Sequence, residues 1–140
     1  MFGSFFRGLV LTAILIASSV GLAEAKPQVL VCTVNAGAAQ NGIVTKTYLL
    51  VFEPGTAEGV VLDGLIKHET GDSIPMKVKD AANRTDFSWK FKAKDRVGVV
   101  VPLIFRATYM KADKSFIVTG SVGGGEYRGD GSARGNCKQE

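Results

Sequence analysis

The strongest structural signal in this chain lies at residues 87–94, which read Phe87-Ser88-Trp89-Lys90-Phe91-Lys92-Ala93-Lys94. Apolar and polar side chains alternate here without a break. Successive side chains of a β-strand point to opposite faces, so the pattern is typical of a strand with one buried face and one solvent-exposed face. The segment predicts an antiparallel sheet whose core receives three aromatic side chains from one strand.

Similar alternation recurs along the chain in short runs bounded by Gly, Pro, Asn and Asp, and helical periodicity is hard to find. These features predict an all-β domain of about eight strands. The predicted strands span residues 28–34, 43–53, 60–69, 74–79, 87–94, 97–110, 116–122 and 126–137.

Two of the predicted strands carry more specific expectations. In residues 60–69 the even positions are predicted to face the core, from Val60 to His68 at its rim. In residues 97–110 the odd positions, including the first, are predicted to face inward. Pro102 within that run lacks a backbone donor, which predicts a sheet edge, a bulge or a break into two strands.

The last segment, residues 126–137, is rich in glycine, but its odd and even positions carry different kinds of side chain. One side carries mainly small residues, namely Tyr127, Gly129, Gly131, Ala133, Gly135 and Cys137. A strand with a small inner face accommodates bulky side chains that project toward it from other strands, as in small barrels. We therefore predict a final strand here, with a flexible tail as the alternative.

The two cysteines, Cys32 and Cys137, lie near the two ends of the predicted domain. We predict that they form a disulfide, which by the chain-entropy model stabilises the fold by about 4 to 5 kcal/mol. An intermolecular disulfide is the alternative. A redox or metal-binding thiol pair is disfavoured, because there is no Cys-x-x-Cys spacing.

Sequential strands with short connections, and a disulfide from the first strand to the last, predict an up-and-down β-barrel. A two-sheet β-sandwich with the same bridge is the alternative. In strand count the domain resembles the small calycin-like exported barrels. Such a resemblance in architecture does not fix function.

Residues 1–25 have the three parts of an export signal. Arg7 precedes an apolar run from Leu9 to Val20, and the small-residue site Ala23-Glu24-Ala25 follows. We expect a helical signal that is cleaved before Lys26, because the apolar run is shorter than the roughly 20 residues of a membrane-spanning helix. The expected product is one β domain, residues 26–140, in the periplasm or secreted, with no stable membrane anchor after cleavage.

Composition excludes several functional classes. The chain has 17 Lys and Arg against 13 Asp and Glu, a formal charge of +4, which is too mild for a nucleic-acid-binding signature. His68 is the only histidine, so a hydrolytic triad has one possible base, for which a structural role is favoured. Asp63, Glu69 and Asp72 are expected to be solvated charges. We predict no catalytic residues, no metal and no cofactor.

Two candidate binding sites remain. The first is a stripe of lysines predicted on one outer face, Lys77, Lys79, Lys90, Lys92 and Lys94, which suits an anionic partner. Solubility and protection of a strand edge are the simpler interpretation of this stripe. The second is the barrel interior, where a small apolar ligand would contact Phe87, Trp89, Phe91, Phe105, Tyr109 and Tyr127. The same side chains can instead fill the interior as a packed core, which we favour.

These observations predict a non-enzymatic, exported β-barrel module of the bacterial envelope that binds another envelope protein or a small apolar ligand. The alternative is an inhibitor of a hydrolase such as lysozyme or a protease. Residues 123–127, Gly-Gly-Gly-Glu-Tyr, are similar to the glycine-aromatic loop of periplasmic lysozyme inhibitors. That similarity covers only a handful of residues and lacks the rest of that family's pattern.

Overall fold

Residues 26–39, 42–123 and 130–140 are described by a computed structural model of the protein. The predicted signal at residues 1–25, and residues 124–129 with Tyr127, lie outside the described residues. The strands are β1 Gln28–Val34, β2 Thr47–Phe52, β3 Glu58–Asp63, β4 Ile74–Asp80, β5 Arg84–Lys94, β6 Val100–Met110, β7 Ser115–Val122 and β8 Asp130–Gln139. A helix, α1, spans Gly64–Thr70, and a 3-10 turn spans Ala36–Ala38.

The eight strands are hydrogen-bonded in chain order, and β8 pairs with β1 to close an antiparallel barrel. The predicted all-β barrel of eight strands is therefore confirmed, and the two-sheet sandwich is wrong.

The disulfide lies at the closure between the first and last strands. Cys32 and Cys137 face each other directly in the β1–β8 register, with their Cα atoms 3.9 Å apart and an S–S bond of 2.01 Å. Both side chains are buried. The predicted intramolecular disulfide is confirmed, and it ties together strands whose cysteines are 105 residues apart.

The final segment forms a strand from Asp130 to Gln139, so within the described residues it is part of the barrel wall and not a flexible tail. Gly120 on β7 pairs with Gly131 on β8, and Val118 pairs with the buried Ala133. A Cβ atom at Gly120 would lie only 2.8 Å from the ring of Phe105, so a small residue on β7 makes room for this ring.

The predicted third strand is wrong beyond residue 63, where the chain turns into α1. Asp63 caps this helix, because its Oδ1 accepts a hydrogen bond from the backbone N–H of Ile66 at 2.7 Å. Gly71 ends the helix with φ of +83°, a conformation that glycine adopts without strain. His68 consequently lies on the exposed side of α1 and not at the rim of the core.

The inward parity predicted for this segment is also wrong within β3. Val61 is fully buried, whereas Val60 is 39% exposed. Ile66 is fully buried where α1 covers one end of the barrel. Among the described residues, no helix is long and apolar enough to cross a membrane.

The sixth strand begins three residues later than predicted. Val97 and Val99 lie in the preceding turn and are 82% and 51% exposed, so their predicted inward orientation is wrong. From Leu103 to Tyr109 the odd positions are buried as expected. Pro102 lies in a continuous strand with no break, one residue beyond the last β6–β7 pair, Leu103 with Val122, where the missing donor costs least.

Candidate functional site

The interior aromatic side chains pack against one another. Trp89 and Phe105 stack with ring centroids 5.5 Å apart, and Phe91 stacks on the same Phe105 at 5.7 Å. The described candidate ligand-lining residues, Phe87, Trp89, Phe91, Phe105 and Tyr109, are all no more than 9% exposed. A cavity of the roughly 300 Å³ that a small ligand needs would leave exposed surface on the side chains around it. Their burial favours a filled interior.

A buried polar cluster holds α1 against the end of the barrel. Thr45 donates its hydroxyl hydrogen to Asp63 Oδ2 at 2.7 Å, and its backbone N–H donates to the hydroxyl oxygen of Tyr48 at 3.0 Å. Burial raises the pKa of both Asp63 and Tyr48 above the ordinary values. Because the carboxylate also caps α1, these hydrogen bonds account for the cluster as a structural feature.

The lysines of the predicted stripe share the outer surface of β4 and β5, which are neighbouring strands. Lys77 lies opposite Ser88 in the β4–β5 register, and Ser88 lies opposite Arg106 in the β5–β6 register. Arg106 therefore joins the same surface from β6. We define the basic face as six exposed cations, Lys77, Lys79, Lys90, Lys92, Lys94 and Arg106.

The cations of the basic face have no ion-pair partner within the described ranges. The two ion pairs found there are Arg84 with Asp86 at 3.4 Å and Lys111 with Asp80 at 2.7 Å. Two carboxylates lie opposite lysines of this face in register, Asp86 opposite Lys79 and Glu58 opposite Lys77. Asp86 pairs with Arg84 and accepts a hydrogen bond from Thr108 at 2.8 Å, and Glu58 makes no ion pair with Lys77. The six cations of the basic face therefore outnumber the two carboxylates beside them.

An open groove of about 310 Å³ lies among three cations of the basic face, Lys77, Lys79 and Arg106. It forms because Ser88 has a short side chain between the longer side chains of Lys77 on one neighbouring strand and Arg106 on the other. Asp86 also lines the groove, and the hydroxyl of Thr108 donates its hydrogen to that carboxylate. The three cations and the hydroxyl of Ser88 suit an anionic group such as a phosphate or a carboxylate, and Asp86 disfavours such a group on its own side of the groove.

Sequence reasoning missed Arg106 as a member of this surface. The alternation of residues 97–110 correctly places it outside, but strand neighbours are needed to bring it beside Ser88. Given a β5–β6 hairpin, the turn at residues 95–99 fixes the register and is the signal that could have found it.

Comparison with models of protein families, with curated proteins and with solved structures finds no match to this chain. Function is accordingly inferred from the surface and interior of the barrel themselves. The residues that sequence analysis singled out fall into two groups, a buried aromatic set and an exposed cationic set. The second set is the one accessible to a macromolecular partner.

Proposed function

We propose that this protein is an exported, non-catalytic β-barrel module of the envelope that binds an anionic partner through its basic face. The observation that carries the proposal is the gathering of six exposed cations on three neighbouring strands, with no ion-pair partner in the described part of the chain. The buried Cys32–Cys137 disulfide is consistent with an oxidising compartment.

Protection of a strand edge accounts for only part of the basic face. Lys90, Lys92 and Lys94 lie on β5 beyond the last β4–β5 pair, Lys77 with Ser88, so lysines there can protect an edge. Lys77 and Arg106 lie where their strands are paired on both sides, so an exposed edge does not explain these two cations. Solubility alone is met by charges of both signs spread over a surface. Like charges on adjacent strands repel one another, and binding to an anionic partner would relieve that repulsion.

The filled interior supports an outer binding surface over an enclosed one. Phe105 has no exposed surface, and both Trp89 and Phe91 stack on it. A ligand inside the barrel would have to displace at least one of these rings. The proposal therefore favours a macromolecular partner over a small apolar ligand.

The proposal is tested by capture from envelope extract with three immobilised proteins. The first is the wild-type barrel, and the second has four basic-face lysines changed, Lys77→Gln, Lys79→Gln, Lys90→Gln and Lys92→Gln. The third is a control of equal net charge with four exposed lysines changed elsewhere, Lys26→Gln, Lys46→Gln, Lys114→Gln and Lys138→Gln.

We expect the wild type and the control to capture the same partner and the basic-face variant to lose it. High salt should release it, because exposed charges interact within a Debye length of about 10 Å at 0.1 M salt and about 3 Å at 1 M. Equal capture by all three proteins would refute the proposal, since net charge or another surface would then be responsible.

A further inference from the structure

The β5–β6 hairpin extends beyond the strands on either side of it. β5 and β6 pair over their full length, up to Lys94 opposite Val100. On one side, β6–β7 pairing stops at Leu103, and on the other, β4–β5 pairing stops at Ser88. We call residues 92–102 the hairpin end. α1 lies beside it on the β5 side, and on the β6 side the backbone N–H of Gly123 donates to the carbonyl oxygen of Pro102 at 2.9 Å.

The hairpin end exposes aliphatic side chains on an ordered turn. Val97 is 82% exposed, and Val99 and Val100 are each 51% exposed. Asp95 Oδ1 accepts hydrogen bonds from the backbone N–H groups of Val97 at 2.9 Å and Val99 at 2.8 Å. Gly98 completes the turn with φ of +84°. The valines are thus held toward solvent by the turn itself.

A row of cations runs beside a row of apolar side chains below this turn. On the outer surface, Lys94 lies opposite Val100, Lys92 opposite Pro102 and Lys90 opposite Ile104. Ile104 is 41% exposed. Arg96 adds an exposed cation within the turn.

The nearest carboxylates do not neutralise this cationic row. Asp95 directs its carboxylate into its own turn, where it accepts backbone hydrogen bonds. Glu69 of α1 accepts a hydrogen bond from the backbone N–H of Lys94 at 3.2 Å and makes no ion pair with a described lysine. The hairpin end therefore combines an apolar tip with an uncompensated cationic flank.

We propose that the hairpin end docks the barrel on the surface of a bilayer that contains anionic phospholipids. Val97 and Val99 enter the interface between headgroups and acyl chains, while Lys90, Lys92 and Lys94 contact headgroup phosphates. This inference rests on the proposed function, because it names a lipid surface as the anionic partner. Burial of an apolar face together with attraction of cations to anionic lipid is the general basis of interfacial binding.

A lipid surface fits this region better than a protein partner does. Protein interfaces depend mainly on aromatic and arginine anchors in shaped pockets, whereas the outward positions of the hairpin end carry no aromatic residue and one arginine, Arg96. Long lysine side chains with apolar stems adapt to mobile headgroups. The valines at the tip match the boundary between headgroups and acyl chains. The headgroup phosphates provide the negative charge that complements the lysines.

The test uses residues 26–140, which contain every described strand, the core and the disulfide. The purified protein is sedimented with vesicles of phosphatidylcholine, with or without about one third phosphatidylglycerol. Three variants are compared with the wild type. They are Val97→Ser with Val99→Ser; Lys90→Gln with Lys92→Gln and Lys94→Gln; and a control with three lysines changed elsewhere, Lys26→Gln, Lys114→Gln and Lys138→Gln.

Wild type and control should bind the anionic vesicles and not the neutral ones. Each lysine near an anionic surface contributes about fivefold to binding, so the hairpin lysine variant should bind roughly 100-fold more weakly. The valine variant should bind about tenfold more weakly, because serine buries less apolar surface than valine and adds a hydroxyl group. Unchanged melting temperatures show that all variants are folded.

Several outcomes would overturn the inference. No binding of the wild type to anionic vesicles refutes it, and so does full binding by the valine variant, since adsorption would then need only charge. Equal losses in the control and the hairpin lysine variant would also refute it.

The proposed function fails separately from lipid docking. If vesicles are not bound but the basic-face variant still loses an acidic protein from envelope extract, the lipid surface is wrong and the basic face keeps its role. If the basic-face variant and its control behave alike in the capture assay, and the hairpin lysine variant and its control behave alike on vesicles, both proposals fall.

Discussion

Loss of the Cys32–Cys137 disulfide should produce the largest change in stability of any conservative substitution in this barrel. The bond closes a loop with a sequence separation of 105 residues. In the chain-entropy model, a loop of that length restricts the unfolded chain enough to stabilise the folded state by about 4.8 kcal/mol at 25 °C. Alanine is the suitable replacement for both cysteines, because both positions are buried.

The change in melting temperature follows from the size of the domain. An unfolding entropy of about 2.1 cal/mol/K per residue gives roughly 240 cal/mol/K for the 115 residues from Lys26 to Glu140. Dividing the lost free energy by this entropy predicts a decrease in melting temperature of about 20 °C. Thermal and urea unfolding followed by circular dichroism would measure both quantities for the wild type and for Cys32→Ala/Cys137→Ala.

Wild type under reducing conditions gives an independent measurement that leaves the core composition unchanged. It should show a similar decrease, and reductant should have no effect on the double alanine variant. A loss below about 1.5 kcal/mol in both comparisons would refute the reasoning. It would mean that β1 and β8 stay close together in the unfolded chain even without the disulfide, or that the folded barrel does not depend on a covalent closure.

Three further comparisons test the core, the buried acid and the contact between the first and last strands. Phe105→Ala should lower the free energy of unfolding, measured in urea, by about 3 to 5 kcal/mol, because it leaves a cavity in the core. The control Ile104→Ala, at an exposed position, should lower it by less than about 1 kcal/mol. Equal losses would contradict a filled interior. Burial raises the pKa of Asp63 above 3.8, so its contribution to stability is fully present below that value and is lost as pH rises through the folded pKa. Wild type should therefore gain stability relative to Asp63→Asn as pH falls from about 7 to 4, and a difference independent of pH would be inconsistent with a raised pKa. Gly135→Ala would place a Cβ against the carbonyl oxygen of Thr33, so it should lower the melting temperature by several degrees, and a change within about 2 °C would argue against that close approach.

Alternation of side chains was sufficient to predict the strands with one polar face. In β5, every odd position from Phe87 to Ala93 is buried, as the sequence indicates. In β8, Gly131 and Ala133 are buried, so the parity with small residues is the inner one, as the sequence indicates. The disulfide followed from two cysteines and one possible intramolecular pair, and the fold places them directly opposite each other.

The errors occurred where alternation is absent or where a polar side chain is buried. Val60, Val61 and Leu62 are consecutive apolar residues, so either parity fits the sequence. The actual parity puts Asp63 inside, where the hydroxyl of Thr45 and the backbone of Ile66 satisfy its carboxylate. A buried acid that caps a seven-residue helix gives no periodic signal, and α1 was therefore missed.

The candidate surface was only partly predictable for a related reason. The lysines could be assigned to one face from a single hairpin assumption. Arg106 and the apolar row from Val100 to Ile104 became neighbours of those lysines only through the β5–β6 register. In the turn, Asp95 and Gly98 are residues typical of turns, and they could have indicated that Val97 is not part of the strand.

The position of the disulfide in the barrel wall also bears on self-association. Strand exchange between two copies is a common route to dimers, and terminal strands are the ones most easily exchanged. Here β1 and β8 are the terminal strands, and they are joined to each other covalently through Cys32 and Cys137. Exchange of either strand would first require attack of a free thiolate on a buried disulfide, and all cysteines of the described chain are already bonded. A folded molecule with the disulfide formed therefore keeps β1 and β8 in its own barrel and does not exchange them with a second copy.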